Sequence, residues 1–253
     1  MNTKEGMRMI GKLSLVLLLL SFGVGCNSAS QSYPGPQPYP DSNAQIAPRG
    51  YPGPQEFSSP PPRPTSAATA FFDSADRAYQ DGQIDEAIAD YTKAIGANPT
   101  YIEAYYNRAI AFDDKGDADG AIADYSRAIE IDSKYARAYY NRAILYYKQD
   151  SLDQAIADYN QTIALVPDAS RAFNNRGIAY DAKGNSDQAI ADYTRAIELD
   201  PAFSDPYMNR GAAYRDRGAK DQAIADFEAY LRMATDSPNR SQVEEWLNEL
   251  RGP

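Results

Sequence analysis

One block of residues returns every 34 positions, five times without a slip. Asp85-Glu86-Ala87-Ile88-Ala89-Asp90-Tyr91 has close copies at 119–125, 153–159, 187–193 and 221–227. A fixed period of that size means a stack of like units, each burying its apolar face on its neighbours, not one globular core. Function then falls on extended surfaces and not on a single enclosed pocket.

The period divides the chain into units 68–101, 102–135, 136–169, 170–203 and 204–237. Each holds two amphipathic segments of helical spacing with a turn between them. Gly82, Gly116, Gly184 and Gly218 mark the turn in four units. Asp117, Ser151 and Asn185 follow, types suited to cap a second helix. Pro99, Pro167 and Pro201 stop that helix. The expected fold is all-α: a solenoid of five helix–turn–helix units over 67–237 and a capping helix in 238–253. In the last stretch, Ser241 and Glu244 fit a capping box, and Val243, Trp246, Leu247 and Leu250 form one apolar stripe.

The spacing within each unit carries a family resemblance. An aromatic stands at the fourth position (Phe71, Tyr105, Tyr139, Phe173, Tyr207). A small residue stands at the eighth (Ala75, Ala109, Ala143, Gly177, Gly211). Alanine stands at the twentieth (Ala87, Ala121, Ala155, Ala189, Ala223), and an aromatic follows at the twenty-fourth. This pattern resembles the tetratricopeptide repeat (TPR). Departures are few: Ala78 replaces an aromatic, and Ser133 and Thr235 replace the closing proline.

Two polar rows run through the units. Arg108, Arg142, Arg176 and Arg210 hold the seventh position, with Ser74 in the first unit. Asp90, Asp124, Asp158, Asp192 and Asp226 hold the twenty-third. The lone Ser74 suggests that each Asp reaches the Arg of the next unit: Asp90–Arg108, Asp124–Arg142, Asp158–Arg176 and Asp192–Arg210. Such a ladder would fix the register between units. The second row is Asn107, Asn141, Asn175 and Asn209 at the sixth position. The resemblance implies that first helices line a concave face that takes extended peptides. An amide row there can bind a peptide backbone without reading side chains. Tyr106, Tyr140 and Asn174 stand beside it, and Arg137 and Arg171 add positive charge. The other reading is that these amides bridge neighbouring helices. The family's carboxylate-clamp function is not carried over, because Phe72 stands where its first Lys would be.

Ahead of the array the chain changes character. Lys4, Arg8 and Lys12 precede the apolar run Leu13 to Val24, then Gly25-Cys26. This reads as a signal peptide over 1–25, too short and wrongly flanked to span a bilayer. Ending on Cys26, it resembles the bacterial lipoprotein signal, although Gly23 stands where Leu is usual. In that family the Cys carries the lipid, so the membrane is reached through Cys26. Residues 26–66 hold 11 of the chain's 17 prolines and repeat Tyr-Pro-Gly-Pro-Gln at 33–37 and 51–55. They are expected to form a disordered tether.

Composition narrows function further. There is no His and one Cys among 253 residues, so the usual general base and a cysteine metal cluster are missing, and no cofactor is expected. Lys+Arg number 25 against Asp+Glu 35, which disfavours nucleic acid. The expected protein is a non-catalytic, lipid-anchored scaffold that holds a protein or peptide in the cell envelope. Its place is the outer membrane, facing the periplasm, if the source has two membranes. Self-association into a structural assembly is the alternative, and an enzyme fragment ranks behind both.

Overall fold

The computed structural model describes residues 66–252. The expected leader, Cys26 and the tether up to residue 65 lie outside the described residues. Eleven helices follow in order: α1 (Ser66–Gln80), α2 (Ile84–Ala97), α3 (Ile102–Lys115), α4 (Ala118–Ile131), α5 (Ala136–Lys148), α6 (Leu152–Leu165), α7 (Ser170–Ala182), α8 (Ser186–Leu199), α9 (Asp205–Asp216), α10 (Lys220–Met233) and α11 (Arg240–Arg251). They pack in sequence, α1 on α2, α3 on α4 and so on, and each pair stacks on the next. This is the five-unit solenoid with a terminal helix that the period requires. No helix among the described residues is long and apolar enough to cross a membrane.

Small residues set the helix spacing. Ala87, Ala121, Ala155, Ala189 and Ala223 are all fully buried, as are the rings of Tyr159, Tyr193 and Phe227. At the eighth position the fit is close enough to decide residue type. A Cβ on Gly177 would lie 2.7 Å from the Tyr193 ring, and one on Gly211 would lie 2.7 Å from the Phe227 ring. Ala75, Ala109 and Ala143 occupy the same position in the earlier units and are also fully buried.

The turns follow one geometry. Gly82, Gly116, Gly184 and Gly218 adopt φ of +76°, +86°, +79° and +73°, and the fifth turn puts Asp150 at +58°. Asp is among the few side chains that tolerate this left-handed region. Of the expected caps, only Asp117 acts, accepting from the Gly120 amide at 2.9 Å; Ser151 and Asn185 make no capping bond. Pro99, Pro167 and Pro201 stand just past the ends of α2, α6 and α8.

The capping box of the last helix is not formed. Helix α11 starts at Arg240, which places Ser241 inside its first turn. Glu244 is taken instead by Arg240, Nε to Oε1 at 3.0 Å. The apolar stripe does its expected work. Val243 and Leu247 are buried, and the Trp246 ring sits 5.6 Å from Phe227 with the Arg215 guanidinium 4.2 Å over it.

Candidate binding face and the ladders beside it

The arginine row pairs within units, not between them. Arg108 grips Asp124 through Nε at 2.7 Å and Nη2 at 2.8 Å. Arg142 holds Asp158, Arg176 holds Asp192 and Arg210 holds Asp226 in the same two-pronged way. The expected pairs Asp90–Arg108, Asp124–Arg142, Asp158–Arg176 and Asp192–Arg210 are therefore replaced. The seventh and twenty-third positions face each other across the two packed helices of one unit. Asp90 is not stranded by the missing arginine. The Ser74 hydroxyl donates to it at 2.7 Å, and Lys93 from the next turn of α2 adds a charge at 2.6 Å. The Lys93 hydrogen bond first, then that from Ser74, holds the Asp90 carboxyl below its usual range.

The arginines still tie one unit to the next. Each sends Nη1 back to the preceding second helix: Arg108 to Thr92 at 2.8 Å, Arg142 to Ser126 at 2.8 Å, Arg176 to Asn160 at 2.6 Å and Arg210 to Thr194 at 2.9 Å. Aromatic rings of the same helix flank the guanidinium. Tyr139 and Tyr146 both stand 5.7 Å from Arg142, and Phe173 and Tyr180 stand 5.4 and 5.9 Å from Arg176. A planar ion fits between rings as an ammonium does not. Burial raises the carboxyls of Asp158 and Asp192 against the pull of their arginines.

A second charged row, missed in the sequence, does run between units. Lys115 reaches back to Asp85 at 2.6 Å, Gln149 to Asp119 at 3.1 Å, Lys183 to Asp153, and Arg217 to Asp187 at 2.5 Å. The aspartates belong to the repeated block itself, so their partners one unit on were there to be found. These pairs are exposed and add little stability.

The asparagine row links the first helices to one another. Asn141 Nδ2 donates to the Tyr106 hydroxyl at 3.0 Å, Asn175 to the Tyr140 hydroxyl at 2.9 Å and Asn209 to Asn174 Oδ1 at 3.0 Å. Asn107 lacks such a partner because Phe72 has no hydroxyl, and Asp76 accepts its amide instead at 3.1 Å. Asn174, Asn175 and Asn209 are 0% exposed, and Tyr106 and Tyr140 are buried. Of the residues expected to meet a peptide, these five are packed between helices and serve the bridging role. A helix-lining amide in the sequence does not reveal whether its neighbour is a ligand or another helix. Asn107, Asn141, Arg137 and Arg171 remain half-buried at the surface. Arg171 lies 5.2 Å over the Phe203 ring.

The outer edge of the same face is bridged as well. Lys148 of α5 meets Asp113 of α3 at 3.2 Å, and the Tyr79 hydroxyl of α1 donates to Asp114 of α3. The first helices α1, α3, α5, α7 and α9 thus present one continuous, registered face. Burial pushes the Tyr101 phenol at its α1 end up to about 12, and Glu103, Asp73 and Asp76 reinforce the shift. Among the described residues no group of His, Cys, Asp or Glu is arranged to hold a metal.

Helix pairs stacked in register, with small residues at the contacts and a continuous first-helix face, define a repeat-scaffold protein. Family profiles described as TPR repeat match residues 75–116 and 111–150, and profiles described as tetratricopeptide repeat match 136–168, 170–203 and 204–237. Together they span well over half of the sequence, and the chain belongs to the tetratricopeptide-repeat family. Among solved structures, MamA protein is similar at 27% identity and a TM-score of 0.63, over 70% of this chain and 94% of that one. YrrB, a TPR protein described as having an unusual peptide-binding site, is similar at 17% identity and a TM-score of 0.61, over 70% of this chain and 92% of that one. PilF of Pseudomonas aeruginosa is similar at 19% identity and a TM-score of 0.59, over 73% and 91%. The last two likenesses show the fold alone. No curated protein matches the chain.

Proposed function

We propose that this is a non-catalytic TPR adaptor, anchored in the cell envelope by lipid on Cys26, that holds a segment of a protein partner on the concave face formed by α1, α3, α5, α7 and α9. The observation that carries the reading is that face itself. Bonds between successive first helices hold it in register, and both charged and aromatic side chains remain at its surface. YrrB, with the same fold, is described as having a peptide-binding site. The alternative, stacking of copies end to end, is the weaker reading. Helix α11 covers the last unit, and the first unit offers Ser74 where a following unit would need an arginine.

Two variants test the reading. Cys26→Ser should move the protein from the membrane to the soluble fraction; retention in the membrane would remove the anchor. Asp113→Ala with Lys148→Ala, which removes the exposed pair between α3 and α5, should keep the melting temperature of the parent but lose co-purifying envelope proteins. Recovery of every partner unchanged would remove the groove.

A further inference from the structure

Two aromatic pairs line the α1 end of the first-helix face. Phe72 of α1 and Tyr101, the residue before α3, have ring centroids 4.9 Å apart. Tyr106 of α3 and Tyr135, the residue before α5, repeat the arrangement at 5.4 Å. At the later junctions Ala169 holds the place of the second ring, and Phe203 lies under the Arg171 guanidinium. The Tyr101 hydroxyl bonds to no described residue, and as a protonated phenol it offers a donor to a backbone carbonyl. Asp73 and Glu103 are exposed beside it. The basic side chains of these two helices are engaged elsewhere. Arg77 donates to the Asp73 carbonyl at 3.1 Å, Lys115 pairs with Asp85 at 2.6 Å and Arg108 pairs with Asp124 at 2.7 Å.

The chain that leads into α1 carries what such a surface takes. Residue 65 joins Ser66, the first residue of α1. Ahead of it Tyr51, Pro54, Phe57 and Pro60 recur at every third position. A polyproline II segment has three residues per turn, so these four share one edge, and Tyr51 and Pro54 stand ~9 Å apart. Packed helices, and with them the two aromatic pairs, are on the order of 10 Å apart. Aromatic-lined grooves take such segments because their extended backbone loses little entropy on binding. Arg49, two residues before Tyr51, has the sign to meet Asp73 and Glu103.

We propose that the first occupant of this face is the chain's own proline-rich segment: Tyr51 sits at the Phe72–Tyr101 pair and Pro54 at the Tyr106–Tyr135 pair, and a partner must displace them. This rests on the groove reading above and adds how the groove is regulated. Twelve residues lead from Pro54 to Ser66, a coil span of roughly 19 Å. The second pair lies about six helical residues and one helix width from Ser66, roughly 14 Å. The link therefore reaches, and it holds the segment at an effective concentration in the millimolar range, so that even a weak seat is filled.

The test uses the full chain in detergent with a benzophenone side chain in place of Tyr51, mixed as equal parts of heavy-isotope and unlabelled protein. Irradiation and peptide mass mapping should place adducts near Phe72 and Tyr101, joining peptides of like isotope only. Pro52→Ser with Pro54→Ser should cut their yield at least about fivefold. The same two substitutions in the unmodified chain should leave the melting temperature unchanged and raise the recovery of co-purifying envelope proteins. Adducts that join light to heavy peptides would give the seat to another copy and overturn the proposal. Adducts confined to the second helices, no adducts, or an undiminished yield in the proline variant would overturn it as well, as would partner recovery that stays level or falls. The groove reading fails separately, if Asp113→Ala with Lys148→Ala leaves partner recovery unchanged.

Discussion

Arg142 holds both carboxylate oxygens of Asp158, with Nε at 2.7 Å and Nη2 at 2.9 Å, and reaches into the preceding unit with Nη1 on Ser126. One side chain thus closes its own helix pair and marks where the previous pair must sit. Only 16% of its side-chain surface and 8% of that of Asp158 remain exposed, so the pair is largely shielded from water.

Breaking this pair should be costly. Removing one partner of a buried pair costs about 3–5 kcal/mol, and some residual exposure lowers that for Arg142→Ala to ~3 kcal/mol. Arg142→Lys should also destabilise, because it loses both the fork and the stacking between Tyr139 and Tyr146. Urea denaturation of a double-mutant cycle separates the two possible ladders. Arg142 with Asp158 should show coupling of about 1 kcal/mol or more, and Arg142 with Asp124 almost none.

Asp150 takes the left-handed turn that glycine takes in four other units. That conformation costs an L-residue roughly 1–2 kcal/mol, and an Asp somewhat less. Asp150→Gly should raise stability by about 0.5 kcal/mol or more, and Gly116→Ala should lower it by about 1 kcal/mol. Thermal melts followed by circular dichroism check both signs.

The buried asparagines and the surface acids should behave differently. Asn175→Ala removes the amide that donates to the Tyr140 hydroxyl and should cost about 1–3 kcal/mol. Glu103→Gln touches an exposed side chain and should stay within about 0.5 kcal/mol of the parent. If Asn175→Ala melted with the parent, the amide row would not be a structural bridge.

The alkaline limb of stability should report Tyr101. Its phenol is raised from 10.0 to about 12, burial being the largest cause. A group raised on folding contributes its full stability below the unfolded value and loses it as pH climbs through the folded value. Stability should therefore hold below pH 10 and fall between 10 and about 12. Tyr101→Phe should make that fall shallower in denaturant midpoints measured across the range; an unchanged slope would count against the burial of this phenol.

Much of this was legible in the sequence. The period, the turn glycines and the stopping prolines place the helices, and the rows of Arg and Asp announce ion pairs. The pairing itself was not legible. Charge complementarity does not give distance, and Ser74 is not a blank position: its hydroxyl, with Lys93 three residues past Asp90, serves that carboxylate. The asparagine row was ambiguous for a related reason. Its partners Tyr106, Tyr140 and Asn174 stand 35 residues earlier. That spacing places donor and acceptor on adjacent first helices, and only the packed structure shows that no room is left for a peptide at Asn175. Helix α11 shows the opposite case. Its apolar stripe was fixed by spacing, but its cap depended on a start one residue earlier than Ser241.

The most direct test of the account is a photocrosslinking scan in intact cells, with a photoreactive residue placed in turn at Glu103, Asp113, Tyr147 and Asp181 on the first helices and at Ala123, Ala157 and Ala191, exposed positions on the second helices. Adducts with a partner protein are expected from the first-helix sites and none from the second-helix sites. Adducts confined to Ala123, Ala157 and Ala191 would contradict it.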